Sequence, residues 1–173
     1  QRGCRLKLAK DSRGWISVPI ILTAALASAG NWYISAAAFM GLLFMIFFHR
    51  DPDRLPQSEG MLSPADGRII QATPEKVTVF MGFGDVHVNR SPLDGTIMSV
   101  EQRKGTHLPA FLNRSCQNQQ NRIRIDTEDG EIQLCQITGT FVREIICYVK
   151  PGDHVLRGER IGMIRFGSRV ETT

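Results

Sequence analysis

The 34 consecutive residues from Trp15 to Phe48 contain no Asp, Glu, Lys, Arg or His. A water-soluble domain rarely leaves so long a stretch without the charged side chains that keep a surface solvated, so a purely soluble protein is excluded. The run is longer than the roughly 20 residues that cross a bilayer once and too short for two full crossings. Gly30-Asn31 divides it, and Gly-Asn is a helix-stop and turn signal. The expected structure is an apolar helical membrane hairpin over 15–48. A cleaved signal peptide fits less well. The run is too long for one, and it is followed by His-Arg-Asp-Pro-Asp-Arg rather than a small-residue cleavage site.

Charge distribution supports the same reading. Residues 1–14 carry Arg2, Arg5, Lys7, Lys10 and Arg13 against Asp11, which accounts for the whole net charge of +4, and the rest of the chain balances at 16 basic and 16 acidic residues. A nucleic-acid binder would carry its basic face on the folded domain. This excess abuts the apolar run and suits anionic lipid headgroups, so no nucleic-acid partner is expected. His49, Arg50 and Arg54 follow the run, so both of its ends are basic. The positive-inside tendency then puts the chain at the cell membrane with its folded part on the cytoplasmic side. Trp15, Trp32 and Tyr33 stand where interfacial aromatics belong. The resulting division is a basic arm (1–14), the hairpin (15–48), a linker with Pro52 and Pro56 (49–60) and a β-rich domain (61–173).

From Met61 onward, short apolar runs are punctuated by Gly and Pro. They predict strands over 68–72, 76–81, 86–90, 96–102, 122–127, 131–138, 144–150 and 160–166, at the spacing of a β-rich sandwich or barrel. Asp129-Gly130 marks a hairpin, and only 108–117 reads as helical. The fold class is therefore mainly β plus an N-terminal helical hairpin. Cys4, Cys116, Cys135 and Cys147 form no CxxC pair or dense staple pattern, which indicates reduced thiols. The four histidines are widely spaced and form no HExxH or Cys/His motif, so no metal site is expected.

Several motifs stand out. Ser63-Pro64-Ala65-Asp66-Gly67-Arg68-Ile69 is echoed by Ser91-Pro92-Leu93-Asp94-Gly95-Thr96-Ile97, a pattern that two similar turns leading into strands explain. The run from Val149 to Gly162 reads V-x-x-G-D-x-V-x-x-G-E-x-I-G, like the barrel-sandwich hairpins of biotinyl and lipoyl carriers, with His154 a solvated turn residue. In Asp85-Val86-His87-Val88-Asn89-Arg90, strand alternation places His87 and Asn89 opposite Val86 and Val88. Phe166-Gly167-Ser168-Arg169 follows the last apolar run.

Taken together, S-P-A-D-G-R, D-V-H-V-N-R-S-P, G-T-H-L-P-A-F-L-N, K-P-G-D with G-E-R-I-G, and R-F-G-S-R-V resemble the short, archaeal and bacterial form of the phosphatidylserine decarboxylase family. The apolar segment leading into F-F-H-R-D-P extends the likeness over nearly the whole chain. The resemblance implies a proenzyme that cuts itself between Gly167 and Ser168. The Ser168 hydroxyl attacks the Gly167 carbonyl, with His87 as base and Asp66 orienting the imidazole. β-Elimination and loss of ammonia then leave a pyruvoyl group at position 168, a covalent electron sink that forms a Schiff base with the substrate amine before carbon dioxide leaves.

The resemblance further implies a membrane serine phospholipid as substrate, either phosphatidylserine or archaetidylserine, with the two cleaved chains staying associated. Arg90 and His107 are candidate substrate contacts. The oligomeric state stays open, a homo-oligomer among the options. Longer family members carry a second His where Arg90 stands here, so the base is assigned to His87 alone. Family members also continue past the serine to complete a final hairpin, which is expected to lie beyond Thr173. From a different class, the V-x-x-G-D hairpin by itself would suit a non-catalytic, membrane-tethered barrel-sandwich adaptor, which needs no Ser168 and no cleavage. A peptidase would need a metal cluster that the sequence lacks.

Overall fold

The computed structural model describes residues 7–54, 56, 59–106, 108–110, 113–140, 144–166 and 168–173. It falls into two compact units, Gln1–Asp53 and Arg54–Thr173. In the first, α1 (Arg13–Ser28) and α2 (Trp32–Phe48) form a hairpin. Gly30, at φ 76°, closes α1: its N–H donates to the Ala27 carbonyl and that of Asn31 to the Leu26 carbonyl, both at 3.0 Å. That double bond is the Schellman stop, and it needs the left-handed backbone glycine adopts without strain. Ser35 Oγ donates across the hairpin to the Thr23 carbonyl at 3.0 Å. Residues 7–9 run alongside 49–51, with the Ala9 N–H on the His49 carbonyl (2.8 Å), the Asp51 N–H on the Lys7 carbonyl (2.7 Å), and Lys7 paired with Asp53. No helix among the described residues is long and apolar enough to cross a membrane.

The second unit is mainly β and antiparallel. Its strands are β1 (Arg68–Thr73), β2 (Lys76–Met81), β3 (Val88–Arg90), β4 (Gly95–Arg103), β5 (Gln120–Thr127), β6 (Gly130–Ile137), β7 (Ile145–Cys147), β8 (His154–Val155), β9 (Arg160–Ile164) and β10 (Ser168–Thr172). Seven form one sheet in the order β1-β2-β10-β6-β5-β4-β8, and three form another, β3-β9-β7. Val79, Met81, Ile97, Ile123, Leu134 and Val170 of the large sheet share one core with Ile145, Ile161 and Ile164 of the small one.

Local chemistry accounts for the connections. The β5–β6 hairpin turns through Glu128-Asp129, with Thr127 paired to Gly130 at φ 118°. The two S-P-x-D-G segments fold alike: Ser63 Oγ donates to the Ala65 carbonyl and Ser91 Oγ to the Leu93 carbonyl, each at 2.7 Å. In the carrier-like run, Asp153 accepts the Lys150 N–H and Glu159 the Leu156 N–H, which are turn-closing bonds, and His154 is exposed.

Some elements differ from expectation. Residues 86–87 and 165–166 lie outside strands, and the helix expected over 108–117 is a 3₁₀ turn at Asn113–Gln117. Two strands, β8 and β10, were not anticipated. The sequence S-R-V-E-T gives no apolar run, yet β10 sits between β2 and β6, where both of its edges are satisfied.

Candidate functional site

Ser168 opens β10 at zero exposure, directly opposite Met81 of β2. Its Oγ has no hydrogen-bond partner among the described residues. A buried hydroxyl left without a partner is costly in a folded protein, and it marks an oxygen available for reaction. Gly167 and His107 lie outside the described residues. Phe166, just before the glycine, has φ 55°, a left-handed conformation that costs a phenylalanine on the order of 1–3 kcal/mol. Its ring packs 6.5 Å from that of Phe83. Arg165, almost wholly buried, pairs with the Glu144 carboxylate and donates its N–H to the Glu144 carbonyl at 3.0 Å. The chain on both sides of the glycine is thus fixed by burial and pairing.

His87 is also fully buried. Val86 and Val88 both line a cavity of about 320 Å³ on one side of the chain, and Asn89 points to the other, toward Gln136 of the large sheet. His87 Nδ1 lies 2.9 Å from the Asp85 carbonyl oxygen. A carbonyl only accepts, so in the neutral ring Nδ1 carries the proton and Nε2 is the basic nitrogen. The His87 carbonyl takes the Ile164 N–H at 3.2 Å, tying this segment to β9. Asn89 Nδ2 reaches Met81 Sδ at 3.6 Å, which places Asn89 beside the strand partner of Ser168.

Asp66 takes a different partner. Its carboxylate pairs with Arg54, both on the wall of the 320 Å³ cavity together with Leu62, Val86, Val88 and Arg90. Arg90 Nη1 donates to the Gly158 carbonyl at 2.9 Å. The structure buries both His87 and Ser168, puts Asp66 and Arg90 on the wall of the 320 Å³ cavity, and holds His87 Nδ1 by a backbone carbonyl. Asn89, Gln136 and Asn121, all fully buried and linked to one another, were not foreseen. The one available signal was that Asn89 shares the face of His87.

Burial pushes the Cys135 thiol up to about 11, with the Glu171 carboxylate adding to the effect. It is therefore no thiolate at neutral pH and does not compete as a nucleophile. Among the described residues no group of His, Cys, Asp and Glu could hold a metal ion.

Residues 42–173 match the family described as phosphatidylserine decarboxylase. A protein of Methanococcoides burtonii, named provisionally as an archaetidylserine decarboxylase proenzyme, is 39% identical, covering 96% of this chain and 84% of its own. One of the same provisional name from Methanosarcina acetivorans is 40% identical, covering 96% and 85%. The phosphatidylserine decarboxylase proenzyme of Streptomyces griseus is also 40% identical, covering 96% and 82%.

Proposed function

The chain belongs to the phosphatidylserine decarboxylase family, and from that premise we propose that it matures by cutting itself at Gly167-Ser168 and then removes the carboxylate of a membrane serine phospholipid. The observation that carries this reading is the buried Ser168 hydroxyl without a partner among the described residues. His87 Nε2 takes the Ser168 proton as Oγ attacks the preceding carbonyl, and the Asp85 carbonyl holds the tautomer that makes this nitrogen basic. The peptide becomes an ester, which is eliminated. Overall one water is consumed and one ammonia released.

A serine hydroxyl in this setting fits a pyruvoyl precursor, and its full burial keeps competing water away. When formed, a pyruvoyl group supplies an electrophilic carbonyl that accepts the substrate amine and takes up the electron pair left by carbon dioxide. Arg90, at the end of β3, is assigned to the lipid phosphate. The headgroup chemistry is the same for phosphatidylserine and archaetidylserine. Mass analysis of the purified protein tests the reading. The expected result is a fragment beginning at residue 168 with an N-terminus blocked to amine reagents. A protein that stays whole and unblocked would favour the adaptor.

Asp66 contributes through charge. Its carboxylate neutralises Arg54 on the wall formed by the two valines that flank His87. Without it, the Arg54 cation opposes formation of the imidazolium that proton uptake creates. Asp66→Asn should slow self-cleavage about two- to fivefold, the range expected of a part-exposed, screened ion pair, read from the time course of intact chain. A rate equal to the parent would remove Asp66 from the machinery.

The helical hairpin is assigned to the membrane. Ile21, Leu22, Ile34, Phe39, Met40 and Phe44 are exposed on it, an apolar surface too large for water, and the arm before it is basic. Deleting residues 1–48 should move the protein to the soluble fraction. Turnover of bilayer lipid should fall much more than turnover of short-chain, water-dispersed lipid. Equal loss on both substrates would mean that the hairpin supports the fold rather than delivering the site.

A further inference from the structure

Asn121, Gln136 and Asn89 form a directional chain of buried amides running from the large sheet to the small one. Asn121 Nδ2 donates to Gln136 Oε1 at 2.8 Å, and Gln136 Nε2 donates to Asn89 Oδ1 at 2.7 Å. Each amide has one accepting and one donating end, so these two bonds couple the orientation of Asn89 to those of Gln136 and Asn121. The Asn89 oxygen is taken by Gln136 and its NH₂ is turned toward Met81, whose Sδ lies 3.6 Å away. A thioether is a weak acceptor, and a fully buried amide is a strong donor.

Room for the chain comes from Gly162 of β9, the register partner of Asn89. A Cβ there would sit 2.8 Å from Gln136 Nε2 and 2.7 Å from the Ile146 carbonyl oxygen. Met81 is the register partner of Ser168, and Gln136 that of Val170. The Asn89 N–H thus lies against the strand partner of Ser168, and among the described residues sulfur is its acceptor.

We propose that Asn89 donates this N–H to the oxygen that becomes negative when Ser168 attacks, a role resting on the self-cleavage reading above. As the Oγ–C bond forms and His87 takes the hydroxyl proton, the carbonyl π pair moves onto its oxygen, which Asn89 holds. The pair returns as the C–N bond breaks and the proton passes to the departing amine. Asn89 is a catalytic residue in this step, and Gln136 and Asn121 are positioning residues that keep its amide from turning over.

The test follows precursor from cell-free synthesis over time, with a melting curve for each variant. Asn89→Asp keeps the acceptor that Gln136 uses and removes the donor, so a structural role survives and the proposed one does not. The folded variant should cleave about 10²–10³-fold more slowly than the parent, the usual loss for one oxyanion donor, and accumulate no ester cleavable by hydroxylamine. The triple variant Asn89→Leu/Gln136→Leu/Asn121→Leu replaces every amide of the chain by an apolar group, leaving none buried without its partner, and should be equally slow. Cleavage at the parent rate in either folded variant overturns the proposal, as does a hydroxylamine-cleavable ester, which would put Asn89 after the attack. A parent chain that itself never cleaves overturns the self-cleavage reading instead, a result distinguishable because no variant could then be slower.

Discussion

Replacing Ser168 by Ala leaves a folded, intact chain with no decarboxylase activity. The substitution removes one oxygen, and that oxygen is at once the nucleophile of maturation and the atom through which position 168 would become a keto group. The loss should therefore be complete. The fold should not suffer. Ser168 Oγ is buried with no hydrogen-bond partner among the described residues, so the change breaks no bond seen there and removes a desolvated polar atom. Strand β10 keeps its backbone pairing to Met81 on one side and, from Arg169, to Ile137 on the other. The melting temperature should stay level or rise slightly, while mass analysis shows one uncut chain. Decarboxylation persisting in this variant would remove Ser168 from the chemistry.

The residues that were legible in advance are those whose local chemistry decides their structure. Gly30-Asn31 stops a helix wherever it occurs, and the Gly- and Pro-bounded apolar runs became β1, β2, β4, β5, β6 and β9 within a few residues. Strand β10 was hidden because its buried positions include Ser168, Arg169 and Thr172, which look solvated when read alone. Arg169 is buried because Glu171 pairs with it at 2.6 Å and with Lys76 of β2 at 2.7 Å. The helix expected over 108–117 shrank to a 3₁₀ turn tied down by Asn118, whose amide bonds the Leu108 and Thr138 carbonyls.

The site divides the same way. Ser168 and His87 could be named because motifs carry them. The amide chain could not, since Asn89 and Gln136 stand 47 positions apart in different sheets, and only the packing of one sheet on the other makes them neighbours. Nor could Arg54, read as part of a linker, be foreseen as the partner of Asp66.

Replacing His87 by Ala should hold the protein in its uncut form, because a serine hydroxyl is a poor nucleophile until a base takes its proton. A positioned general base contributes about 10²–10⁴-fold, and maturation should slow by that factor in a time course of intact chain. The alanine also opens a cavity at a fully buried position, so a second variant separates folding from chemistry. His87→Asn places an amide N–H where Nδ1 donates to the Asp85 carbonyl, keeping that bond while removing the basic nitrogen, and it should be as slow as the alanine. Stability should recover toward the parent while maturation does not, which a purely structural histidine would not produce. Normal cleavage in both variants would move the base elsewhere, with His107 next to be tested.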